Sequence, residues 1–145
     1  MVEFLHKELG IVSAVYEKNE QLFYLTAKLF VPDSSKPMLL YFDSKDARIS
    51  QGQEKLYISI QKNYSDVIRA GFAHVADFMN GSEYRVNGST IEDYEVESIR
   101  IPTIEDDEDF LEVVWSLDFV YLKNGFSYLI VEYKNLLPFN VYPEH

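Results

Sequence analysis

Apolar residues recur along this chain at two periods, and the switches between them sketch its elements. Ile11, Ser13 and Val15, then Leu22 to Val31 beyond the polar turn Glu17 to Glu20, predict a strand hairpin that stops at Pro32 and Asp33. The loop Ser34 to Pro37 leads into Met38 to Phe42, an apolar run that predicts a third strand. From Lys55 to Ile60 the alternation of Leu56, Ile58 and Ile60 favours a fourth short strand over the first turns of a helix, although a second short helix also fits between Ser44 and Ile60. The period then changes. Tyr64, Val67, Ile68, Phe72, Val75, Phe78 and Met79 recur at three- and four-residue steps, which predicts the principal helix from about Ser65 to Met79. Asn63 or Ser65 can cap its start, Asp66 suits its positive end, and Asn80-Gly81 supplies the stop. Gly71, inside the helix, is explained by close approach to a sheet.

Downstream, Tyr84 to Val86, the turn Asn87-Gly88-Ser89 and Tyr94 to Ile101 predict further strands, the last closed by Pro102. Val113, Trp115, Leu117, Phe119 and Tyr121 fill one face of a strand that turns at Asn124-Gly125 and returns from Phe126 to Tyr133. A two-residue turn there places Tyr121 opposite Tyr128 and Phe119 opposite Ile130. Val114, Val120, Leu129 and Val131 then occupy the other face, so that the hairpin is covered on both sides for part of its length. The tail from Leu136, with Pro138 and Pro143, is expected to wrap the surface. These elements make residues 1–145 a single α+β domain. Its core is a mainly antiparallel, twisted sheet of about five to seven strands with one principal helix packed on one face.

Charge changes this picture more than composition does. The net charge is −11, and ten of the 24 acids lie between Glu92 and Glu112 against one basic residue, Arg100. A hydrophobic content of 47% with 22 aromatics places that charge on a folded protein rather than a disordered chain. No cysteine is present, which excludes disulfides, thiolate metal sites and a cysteine nucleophile and agrees with a reducing compartment. Glu3, His6, Lys7 and Glu8 interrupt the first ten residues, so no signal-peptide core is expected, and cytoplasmic residence is the default. No apolar run has the length of a membrane span.

Catalytic signals are absent from the pattern. No nucleophile elbow, phosphate-binding loop or dinucleotide fingerprint occurs, His6 and His145 lie near the termini, and His74 has no histidine or carboxylate four residues away to complete a ligand pair, with Asp77 only a possible hydrogen-bond partner. No enzyme activity, cofactor or metal is expected, and Glu105 to Asp109 lacks the alternating acids and the glycine of a calcium loop. Direct nucleic-acid binding is disfavoured, because 13 basic residues are thinly spread among the acids. A five-carboxylate run does suit a basic protein, which relieves the mutual repulsion and is steered to the surface by the field.

In its size, its lack of cysteine, its α+β strand pattern and the segment Ile104-Glu105-Asp106-Asp107-Glu108-Asp109 ahead of Phe110 to Tyr133, the chain resembles small acidic bacterial immunity proteins. Those proteins neutralise a cognate toxin, often a basic nuclease. The resemblance implies a non-enzymatic inhibitor with a basic toxin or nuclease as its partner. Glu105, Asp106, Asp107, Glu108, Asp109 and Glu112 would be the charge contacts, with Tyr94 or Tyr84 as aromatic anchors. Two other readings stay open. One is a small-molecule-binding or enzymatic domain with a tyrosine-lined cleft between helix and sheet and a buried carboxylate such as Asp118, for which an outward-facing strand position is the plainer alternative. The other is a homodimer paired through sheet edges.

Overall fold

A computed structural model describes residues 2–29, 37–81, 91–122 and 128–144. The strands are β1 (Val2–His6), β2 (Gly10–Glu17), β3 (Leu22–Leu29), β4 (Met38–Ser44), β5 (Tyr94–Ile101), β6 (Trp115–Tyr121), β7 (Tyr128–Lys134) and β8 (Leu137–Glu144). Two helices, α1 (Gln51–Lys62) and α2 (Tyr64–Asn80), lie between β4 and β5. All eight strands join one sheet in the order of the chain. Every pairing is antiparallel except β4 with β5, which run parallel because the two helices carry the chain back to the starting end of the sheet. The fold is thus two four-stranded meanders joined through one parallel pair. The α+β class and the mainly antiparallel sheet match the sequence reading, while the eight strands and two α-helices of the described residues exceed the expected five to seven strands and one principal helix.

Lys55 to Ile60 is the clearest correction. The segment belongs to α1, whose buried residues Gln53, Leu56, Tyr57 and Ile60 follow helical spacing, while Ile58 is only partly buried. Its start carries a capping box: the Ser50 hydroxyl accepts from the Gln53 N–H, and the Gln53 side chain accepts from the Ser50 N–H. That Ser-x-x-Gln spacing was the signal in the sequence. Asn63 ends α1 and starts α2, and its side-chain amide donates to the Ser59 carbonyl at 2.9 Å, so it provides no side-chain cap for α2.

Both helices cover the same face of the sheet. α2 sets Val67, Gly71, Val75 and Met79 inward. At Gly71 an added Cβ would lie 2.0 Å from the Tyr133 hydroxyl oxygen, which bears out close approach as the reason for this glycine. The Tyr133 hydroxyl donates to the Val67 carbonyl at 2.7 Å, and its ring stacks on Trp115 with centroids 4.4 Å apart. Around them, Leu25, Leu40, Phe42, Ile99, Ile101, Leu117, Phe119, Leu129 and Val131 complete the core.

The β6–β7 register differs by one residue from the sequence expectation. Phe119 faces Leu129 and Asp118 faces Ile130, so Leu129, Val131 and Tyr133 share the buried face with Trp115, Leu117 and Phe119. The opposite face of the hairpin is only half-buried, rather than covered. The Asn124-Gly125 turn, Tyr84 to Val86, Asn87-Gly88-Ser89, Phe126, His145 and the Phe30 to Lys36 stretch containing Pro32 and Asp33 lie outside the described residues. The tail is a second correction. β8 pairs with β7 through the two-residue turn Asn135-Leu136, both with positive φ (51° and 62°), as a type I′ turn requires. Pro138 and Pro143 are tolerated because β8 is an edge strand.

Candidate functional site

Strands β4 and β5 end side by side, and the loops that follow them build the acidic end of the molecule. After β5, Pro102 to Ile104 cross the start of α1. Ile104 is buried with its Cγ2 over Gly52, at a separation that leaves no room for a Cβ there. Gln53 holds the same place from below: buried to 1% exposure, its side-chain amide donates to the Asp43 carbonyl at 2.7 Å and the Pro102 carbonyl at 2.9 Å. One side chain therefore ties the end of β4, the start of α1 and the root of the acidic run together.

From this anchor Glu105, Asp106, Asp107, Glu108 and Asp109 all project into solvent. The run is held by its own backbone. The Glu105 N–H donates to the Glu108 carboxylate at 2.9 Å, the Glu108 N–H donates to the Glu105 carbonyl at 3.0 Å, and the Asp109 carboxylate accepts from the Leu111 N–H at 3.0 Å. That last bond caps a single 3-10 turn at Phe110–Glu112, which delivers the chain into β6. Two lysines meet the acids. Lys45 pairs with Glu105 at 2.6 Å and Lys134 with Glu112 at 3.1 Å, all four side chains at least half exposed. The hydrogen bond to Glu105 holds the Lys45 ammonium above its usual range.

Beside the run, a shallow cleft of about 200 Å³ lies between the Asp43 to Ser50 loop and the Thr103 to Asp106 loop. Asp46 and Arg48 line it, and no local pattern singles them out. Its buried polar groups are internally satisfied: the Ser44 hydroxyl donates to the Arg48 carbonyl at 2.7 Å and accepts from the Arg48 N–H at 3.0 Å. The tyrosine-lined cleft between helix and sheet that the sequence suggested is not what this cleft is, since no tyrosine lines it. Among the described residues no group of three or more His, Asp or Glu side chains could hold a metal ion. No helix among the described residues is long and apolar enough to cross a membrane.

The aromatic anchors fare differently from the acids. Tyr94 is 7% exposed, inside the core against Phe72 and Tyr121, and cannot serve as a surface anchor in this conformation. Tyr84 lies outside the described residues. His74 is exposed on α2, its Nδ1 lying 3.3 Å from the Ala70 carbonyl.

Tyr24, Tyr41, Tyr128 and Tyr142, each at least partly exposed, lie on the face of the sheet opposite the helices. Leu39, Ser98, Asp118, Ile130 and Tyr142 form a straight row across β4 to β8 by strand register, and Tyr41, Arg100, Ser116, Glu132 and Asn140 form the next. Asp118 is thus both outward-facing and half-buried. Burial pushes its carboxyl upward, Glu144 and Glu97 push the same way, and the Ser98 hydroxyl, donating at 2.8 Å, and Arg100 oppose them. Burial likewise raises the Tyr41 and Tyr142 hydroxyls, helped by Glu97 and Asp118 at Tyr41 and by Glu132, Asp118 and Glu144 at Tyr142. Arg100 reaches Asp43 at 3.2 Å and stands 5.3 Å above the Tyr24 ring. The surroundings of Asp118 came from strand pairing, which no local pattern in the sequence encodes.

No known protein family matches this chain, and neither does any curated protein or solved structure.

Proposed function

We propose that the protein is a non-enzymatic binder of a basic protein, an inhibitor of the immunity type that neutralises a cognate toxin or nuclease through its acidic end. The observation that carries this reading is the presentation of Glu105 to Asp109. Five consecutive acidic residues are exposed on a loop anchored by Ile104 and Gln53, with only Glu105 paired to a lysine, so their repulsion is sustained by a frame rather than relieved by disorder. An ordered field of one sign accelerates encounter with an opposite charge, and docking releases the repulsion. Glu112, on the turn that follows, and Asp46, across the adjoining cleft, extend the same surface. Cytoplasmic residence belongs to this reading, since such an inhibitor guards its own cell.

The test is capture of partners from native lysate on the tagged protein at low and moderate salt, with the Glu105→Gln, Asp106→Asn, Asp107→Asn, Glu108→Gln, Asp109→Asn variant run in parallel. The expected outcome is one stoichiometric basic protein that associates with the variant at least about ten times more slowly. Equal association with both forms would remove the acidic run from the function.

A further inference from the structure

The helix-free face of the sheet combines rings and carboxylates in a way the acidic loop does not. Across β4 to β8 it presents Tyr41 and Tyr142 to either side of Asp118, with Glu97, Glu132 and Glu144 close enough to act on them. Arg100 is the cation that acts on Asp118, and it already bonds Asp43, while Lys28 and Lys134 stand farther out on the same face, Lys134 paired with Glu112. Asp118, Glu132 and Glu144 share this face with an arginine that Asp43 already engages, and Asp118 is half withdrawn from water on a buried serine, Ser98. A desolvated carboxylate between aromatic rings complements a cation that carries an apolar stem and a flat or compact charged head. The face itself repeats this pairing on a small scale, in the guanidinium of Arg100 over Tyr24. Asp43 also lines the cleft beside the acidic run, so the two surfaces are continuous.

We propose that this sheet face is a docking face for a basic protein, seating an arginine or lysine side chain on Asp118 between Tyr41 and Tyr142. The proposal rests on the reading of the chain as a binder of basic protein, and it gives that partner a specific contact where the loop gives only a field. Charged contacts at a rim change association rates, whereas a cation seated in a partly desolvated aromatic site sets the dissociation rate and the choice of partner.

The experiment is an amide NMR titration of the full chain with acetyl-arginine-N-methylamide, using acetyl-norleucine-N-methylamide as the uncharged control. The wild type, Asp118→Asn, Tyr142→Leu and the five-residue loop variant are compared after thermal melts have shown each to be folded. The expected result is a set of shifts at Tyr41, Ser98, Asp118 and Tyr142 that saturate together with the arginine probe only. Apparent affinity should fall about tenfold in Asp118→Asn and by a smaller factor in Tyr142→Leu, and stay within about twofold in the loop variant. Shifts confined to residues 105–109, no shifts at all, or equal affinity in Asp118→Asn would overturn the proposal. The wider reading fails separately: probe binding at Asp118 without any basic protein retained from lysate sinks the partner reading, while a retained basic protein with no role for Asp118 sinks the sheet face alone.

Discussion

Gly71→Ala is the substitution whose cost the structure states most directly. In an exposed helix this change would stabilise by about 1 kcal/mol through backbone entropy. Here the new methyl would sit 2.0 Å from the Tyr133 hydroxyl oxygen, 3.2 Å from its Cζ and 3.3 Å from a Phe119 ring carbon. The Tyr133 ring is pinned by its stack on Trp115 and cannot swing away without disturbing a second buried aromatic. Two penalties oppose the propensity gain: overpacking of about 1–3 kcal/mol, and about 1–3 kcal/mol for a buried hydroxyl torn from the Val67 carbonyl. The net expectation is a loss of about 1–5 kcal/mol, read as a lower urea midpoint at unchanged slope. A double-mutant cycle isolates the cause. Tyr133→Phe removes the atom that clashes, so Gly71→Ala in that background should cost at least about 1 kcal/mol less than in the wild type. A Gly71→Ala protein more stable than the wild type, or additivity within about 0.5 kcal/mol, would refute the account of how α2 meets the sheet.

Three further outcomes follow from particular side chains. Gln53→Ala removes two amide donations and the Ser50 reciprocal bond, and should cost about 2–4 kcal/mol while raising amide exchange across residues 102–109; unchanged exchange there would mean the acidic run has another anchor. Asp118 has a raised carboxyl pKa, so the stability linked to its proton is whole below the unfolded value of 3.8 and is lost as pH rises through the folded value. Asp118→Asn should therefore gain stability relative to the wild type at neutral pH and gain none at about pH 3, and a constant difference across that range would contradict the burial assigned to it. The Tyr64 hydroxyl, buried against the Met38 sulfur, is pushed up to about 12, so its contribution is whole below the ordinary value of 10.0 and fades as pH rises through the folded one. Tyr64→Phe should move the alkaline unfolding midpoint to higher pH, measured by circular dichroism, and an unmoved midpoint would place Tyr64 in water.

Taken by itself, the sequence determined what depends on near neighbours. The strands β2, β3 and β5, the alternation in β6, the three-four spacing of α2 and the exposure of five adjacent acids are local consequences of side-chain chemistry found in the structure, although in β2 it is Val12 and Ala14 that are buried while Ile11 and Val15 face solvent, and a bulge interrupts the alternation of β5. At Lys55 to Ile60 local pattern failed because Leu56, Ile58 and Ile60 satisfy a strand period while the capping box at Ser50 and the burial of Tyr57 satisfy a helical one. The tail failed for a related reason. Asn135-Leu136 is an uncommon type I′ pair, and Leu136 accepts a left-handed backbone because its side chain packs on the core. Tertiary structure alone decided the rest. Tyr94 is core because Phe72 and Tyr121 come to it from 22 and 27 residues away, and Asp118 is half-buried because Ser98 lies opposite it on a neighbouring strand. Strand order, register and the parallel β4–β5 pair arise from contacts distant in sequence, whose formation depends on loop entropy and on burying one shared face. For that reason the charge of the acidic end could be read residue by residue, whereas the face that sets tyrosines around a desolvated carboxylate could not.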